Sequence, residues 1–236
     1  MKRQDSPPLQ EKGISAYGLQ RRNMLKFAGA SAALITIGSA CKKDDTTSNG
    51  GINLGSGDVG ILNYAYALEQ LEAAFYSKVV SSPYVGMSAL ESEYMTDIRN
   101  HEVAHREFFK AAITAAAPSA IIPGLEVNFA SIDFTSRTSV LATAMAFEDL
   151  GVSAYNGAGQ LLTTSGNGTV YLGLAGKIVS VEARHAALIR DLISNGTFAD
   201  STDANGLDVP VRTPAQVLAI ASNYLISKLD ASNLPS

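Results

Sequence analysis

Residues 99–109 read RNHEVAHREFF, and residues 179–189 read VSVEARHAALI. Each stretch holds a glutamate three residues before a histidine, Glu102 with His105 and Glu182 with His185. The two motifs stand 80 residues apart at both positions. In a helix, residues i and i+3 share a face, so each pair would project together from one side. The chain has one other histidine, His101. Two of three histidines therefore sit in the same motif at the same offset.

Helical periodicity surrounds both motifs. Residues 88–116 place Met95, Ile98, Glu102, His105, Phe109 and Ala112 in line, and Ser88 with Glu91 has the form of a capping box. A second such helix runs from about 170 to 194, with Tyr171, Ala175, Ile178, Glu182, His185, Ile189 and Leu192 in line. A further helix precedes each. Residues 59–80 align Leu62, Tyr66, Glu69, Ala73, Tyr76 and Val80, with Asp58 placed to cap. Residues 137–163 align Leu141, Met145, Glu148, Val152, Tyr155, Gly159 and Leu162. The links are short, long and short, the long one being the Pro- and Gly-containing stretch 117–136. A final helix is expected after Thr213 as cap and Pro214 at its first position, with Val217, Ile220, Tyr224 and Leu225 as its apolar face. Strand alternation is weak everywhere, and only Leu125–Phe134 reads as extended. The fold class is all-α: four long helices with one long crossover between the second and third, plus an additional C-terminal helix.

The repeat covers both hairpins. ALEQLEAAFY at 67–76 aligns with AFEDLGVSAY at 146–155, placing Glu69 with Glu148 and Tyr76 with Tyr155 at an offset of 79. Each of the four stripes thus carries a glutamate where a core leucine is expected. Burying an ionised carboxylate without compensation costs several kcal/mol. Two divalent cations would balance four carboxylates, with neutral imidazoles completing the ligand sets, and such donors suit iron or manganese, with zinc also accommodated. Glu72 lies on an adjacent stripe of the first helix, so periodicity alone leaves it open as an alternative to Glu69. The repeat favours Glu69, because Glu72 aligns with Gly151. His101 aligns with Val181 and reads as a surface or supporting histidine. Tyr76 and Tyr155 are core aromatics within reach of the cluster, and are the candidates for a catalytic role. Asp149 and Arg184, each beside a candidate ligand, would pair.

One glutamate from each of two helices plus Glu-x-x-His from each of the other two resembles the ferritin-like di-iron and di-manganese carboxylate superfamily. The resemblance covers roughly residues 58–194 and is nearest to exported ferritin-like domain proteins rather than to cage-forming ferritins. It implies a ferritin-like four-helix bundle. It also implies that Glu69, Glu102, His105, Glu148, Glu182 and His185 hold two divalent metals, Fe or Mn, with Glu102 and Glu182 bridging them. Ferroxidase or peroxide-consuming activity would follow, with metal ions and small oxidants as partners. The alternative is a non-catalytic metal-binding or structural bundle serving envelope or stress protection. A closed storage cage is disfavoured, and a small homo-oligomer is compatible.

The remaining regions concern placement. Eight of the 18 Lys/Arg and two of the 22 Asp/Glu fall within residues 1–43, leaving ten basic against twenty acidic residues from Asp44 onward. Such a body repels nucleic-acid phosphates, which excludes nucleic acid as a partner. Arg21-Arg22-Asn-Met-Leu-Lys26 resembles a twin-arginine export signal, with Met24 where phenylalanine is usual. The apolar run Phe27–Ala40 that follows is shorter than the ~20 residues of a membrane-spanning helix. Gly38-Ser-Ala-Cys41 resembles a lipoprotein cleavage box, and Cys41 is the chain's single cysteine. The expected organisation is a signal peptide over 1–41, ending either in lipidation at Cys41 or in ordinary cleavage after Ala40, a flexible linker over 42–57, the bundle over 58–194, and a C-terminal loop and helix over 195–236. The location would be periplasmic or cell-envelope, with membrane attachment only through Cys41. One cysteine also excludes a disulfide framework and an iron–sulfur site.

Overall fold

The structure, a computed structural model, describes residues 50–200, 202 and 211–236. The expected signal peptide, Cys41 and the first part of the linker lie outside the described residues. The architecture is all-α. Helix α1 spans Gly57–Ser81, α2 Ala89–Ala116, α3 Arg137–Ala158, α4 Asn167–Ile193 and α5 Pro214–Ala221. Helix α1 packs chiefly on α2, and α3 chiefly on α4. These are the two hairpins that the repeat anticipates. Among the described residues, no helix is long and apolar enough to cross a membrane.

The caps explain most of the helix boundaries. Ser88 accepts from the Glu91 amide while the Glu91 carboxylate takes the Ser88 amide, so the expected capping box opens α2. Thr213 and Gln216 make the same exchange at the start of α5. Asp58 does not cap α1. Ser56 holds that position, and Asp58 instead accepts from the amide and hydroxyl of Thr163, at 2.8 and 2.6 Å, tying α1 to the turn after α3. Helix α3 ends at Ala158, earlier than its periodicity suggests, and tightens into a 3₁₀ turn over Gly159–Leu161. The cause is non-local. The C-terminal segment crosses α3 so closely that a Cβ on Gly157 would stand 1.9 Å from the Arg212 carbonyl oxygen. Helix α4 begins before residue 170, because Gly166 at φ +57° turns the chain directly into it.

Helix α1 is buried on nearly every side. The crossover 117–136 runs along it and is fastened by two amide side chains. Asn63 donates to the Leu54 and Ala120 carbonyls and accepts from the Ile122 amide; Gln70 accepts from the Leu125 amide at 2.8 Å and donates to Pro123. An aromatic cluster closes the seam. The Phe75 ring packs against Tyr76 and Phe147 at 5.0 and 5.1 Å and against the crossover's Phe129 and Phe134 at 6.1 and 5.9 Å. Each such pair adds about 0.5–1.5 kcal/mol beyond area burial.

The segments that flank the bundle also join the core. Strand β1, Ile52–Asn53, pairs in parallel with β2, Leu229–Asp230, and Leu54 is fully buried. Residues 52–54, expected in the linker, are therefore part of the fold, because the C-terminal segment returns to cover them. The extended reading of Leu125–Phe134 reduces to an isolated bridge between Val127 and Leu225. On α5, Val217, Leu218 and Ala221 face inward while Ile220 is exposed, correcting the expected apolar face. Tyr224 packs edge-on to Phe147 at 4.7 Å.

Candidate metal centre

Four glutamates, one at the middle of each long helix, meet in the interior. Glu69, Glu102, Glu148 and Glu182 are each 0% exposed. His185 is buried with them, and the His105 side chain is 12% exposed. The six candidate residues form two groups with shared members. Glu69, Glu102, His105 and Glu182 place one ligand atom each within 4.8 Å of one another, and so do Glu102, Glu148, Glu182 and His185. Glu102 and Glu182 belong to both.

The shared carboxylates divide their oxygens evenly. Glu102 puts Oε2 3.5 Å from His105 Nδ1 and Oε1 2.9 Å from His185 Nδ1. Glu182 puts Oε1 2.9 Å from His105 Nδ1 and Oε2 3.4 Å from His185 Nδ1. Glu69 Oε2 and Glu148 Oε2 complete the groups, each 3.4 Å from its own histidine. Despite these distances, none of these oxygens nor either Nδ1 has an aligned hydrogen-bond partner among the described residues. Close approach without alignment is what results when lone pairs converge on a common point rather than on each other. Buried polar atoms left in that condition are costly unless a cation takes them up.

Residues 57–195 match the ferritin-like domain family. The chain belongs to that family. No curated protein matches the chain significantly. The buried Glu/His cluster of this ferritin-like domain can hold metal.

The tyrosines cross between halves. Tyr76 of α1 donates to Glu148 of α3, and Tyr155 of α3 donates to Glu69 of α1. Each fixes the oxygen of its glutamate that the histidines do not face. Both hydroxyls are held well above the ordinary tyrosine range, by burial first and by the carboxylates next, so both remain protonated donors.

Electrostatics separates the glutamates. Burial lifts Glu69 well above the usual carboxylate range and Glu148 to about 8. Burial also opposes ionisation of Glu102, but its position between both imidazoles wins and lowers it to about 2. His185 loses stability as a cation through burial, yet Glu102, Glu148 and Glu182 hold it up to about 12, and His105 is raised likewise. The metal-free cluster thus carries protons on the groups that face its centre.

Glu72 is buried too, but it stands outside both groups, and its Oε2 has no partner among the described residues. A Cβ on Gly151 would lie 3.1 Å from Glu72 Oε1, so Gly151 vacates the space that the Glu72 carboxylate uses. The expected pairing of Asp149 with Arg184 is not formed. Asp149 meets Arg190, and Arg184 reaches Ser180 on its own helix, because the spacing of α4 turns Arg184 outward. His101 lies outside both groups as expected, with its ring joined to His185. An apolar cavity of about 30 Å³ was not legible in the sequence. Phe109, Ala154, Tyr155, Ala158 and Gly159 are among its walls, residues that periodicity marks only as core.

Proposed function

We propose that this ferritin-like domain holds two divalent ions, iron or manganese, and oxidises Fe(II) or consumes peroxide. The observation that carries the reading is the sharing of Glu102 and Glu182, each lending one oxygen to each group. Glu69 with His105, and Glu148 with His185, would complete one ion's ligands each. Four carboxylates against two divalent charges leave a neutral interior, which removes the burial cost. When bound, the ions supply the two-electron chemistry toward dioxygen or peroxide, Fe(II) being the reductant. The chain's own residues hold the carboxylates apart, fix their orientation through Tyr76 and Tyr155, and keep water away. The cavity beside Tyr155 supports arrival of a small apolar oxidant, since Tyr155 both lines it and bonds Glu69.

Deep burial of all four glutamates favours a second reading, a metal held for structure without turnover. Metal analysis of the purified protein, followed by Fe(II) oxidation and peroxide consumption, separates the two. Two ions per chain with turnover, lost in Glu148→Ala and His185→Ala, supports the oxidoreductase. Two ions without turnover supports the structural reading, and no ion in any preparation sinks both. The leader supports export to the cell envelope with a lipid at Cys41; intact mass of the envelope-purified protein would show an acylated N-terminal cysteine, or else simple cleavage after Ala40.

A further inference from the structure

His101 Nδ1 lies 2.9 Å from His185 Nε2. The two ring planes are 11° apart and their centroids 5.1 Å apart. The centroid separation exceeds the nitrogen separation by about two ring radii. The imidazoles therefore meet edge to edge in nearly one plane, with a nitrogen of one facing a nitrogen of the other. This is a hydrogen bond between rings, not a face-to-face stack, and it requires one nitrogen to carry the proton and the other to accept.

We infer that His101 is a positioning residue that fixes the tautomer and orientation of His185, and that it does so for only one half of the centre. The inference rests on the two-ion reading above. His185 Nδ1 faces Glu102, Glu148 and Glu182 at 2.9, 3.4 and 3.4 Å. A cation bound there takes the Nδ1 lone pair, so the ring proton of His185 must sit on Nε2. That N–H donates to His101 Nδ1, which in turn places the His101 proton on its Nε2. His101 is exposed, so its outer nitrogen is free to bond water. In most metal sites a carboxylate or backbone carbonyl orients the histidine in this way; here a neutral imidazole has the same role. Among the described residues, no imidazole is hydrogen-bonded to His105 in this way. The position on α4 that aligns with His101 is Val181, which has no hydrogen-bonding side-chain atom. The two halves thus offer matched ligands but unequal support.

The test is a Mn(II) titration of the full-length wild-type protein and of His101→Leu and His101→Asn, followed by calorimetry. Leucine removes the acceptor. Asparagine places Oδ1 where Nδ1 stood and restores it. The expected result for His101→Leu is a roughly 10- to 100-fold loss of affinity at one of two positions, the other staying within about threefold, with His101→Asn close to wild type. Long-range proton–nitrogen NMR of the Zn(II)-loaded wild type should show His185 protonated at Nε2. Wild-type isotherms in His101→Leu overturn the inference while leaving the two-ion reading intact. Equal weakening of both positions, or equal loss in His101→Leu and His101→Asn, also overturns it, since either marks a merely structural role. A wild-type chain that binds no ion sinks the metal reading and this inference with it.

Discussion

The hairpin α1–α2 and the hairpin α3–α4 repeat one spacing of cluster residues, yet each is incomplete alone. Glu69 and Glu148, His105 and His185, and Tyr76 and Tyr155 correspond at offsets of 79 and 80. The tyrosines bond the opposite hairpin's glutamate, and Glu102 and Glu182 serve both groups. Two of their differences bear on the cluster: Glu72 faces Gly151, and His101 has Val181 as its counterpart. What the hairpins share builds the acidic interior; what they do not share makes its two sides distinguishable.

The largest expected effect separates the shared from the unshared glutamates. Glu102→Ala or Glu182→Ala should reduce binding from two ions per chain to none, whereas Glu69→Ala or Glu148→Ala should leave one. Metal analysis of the purified variants checks this, and one ion remaining in the Glu102 variant would break the comparison.

Proton release comes next. At pH 7 the metal-free chain holds protons on His185, whose pKa is about 12, and on most of Glu148, at about 8. Both must leave before these groups can ligate, so affinity rises with pH and is lost as pH falls, by roughly tenfold per unit for each proton released. Calorimetry in buffers of different ionisation enthalpy measures the number, and an affinity equal at pH 6 and pH 8 would contradict the assignment.

Gly157→Ala should cost about 1–3 kcal/mol or more in urea unfolding, because its Cβ meets backbone that cannot move away. Gly151→Ala should cost less than that, since its nearest neighbour is the far end of the Glu72 side chain at 3.1 Å. Tyr76→Phe and Tyr155→Phe should each cost about 1–2 kcal/mol and match one another, being mates across the repeat. The smallest effect belongs to Glu72→Gln, which should keep both ions bound; loss of one would return Glu72 to the ligand set in place of Glu69.

The helices and the six converging residues were legible because the repeat reports on the same face twice. The choice between Glu69 and Glu72 was not settled by periodicity, since α1 is buried on both stripes by the crossover that Asn63 and Gln70 fasten. Contacts between distant segments were invisible in the same way. Asp58 reaches Thr163, Arg212 presses on Gly157, and Leu229–Asp230 recruits Ile52–Asn53, none of which leaves a local pattern. The tyrosine exchange falls between these cases: the spacing marked both residues, but only the packed hairpins show that each serves the other's glutamate.

Anomalous X-ray scattering from crystals of the metal-loaded protein decides whether the acidic interior is a two-ion centre. Two ions are expected, one among Glu69, Glu102, His105 and Glu182 and the other among Glu102, Glu148, Glu182 and His185. A cluster without scattering ions, its carboxylates neutralised by protons alone, would contradict the two-ion reading.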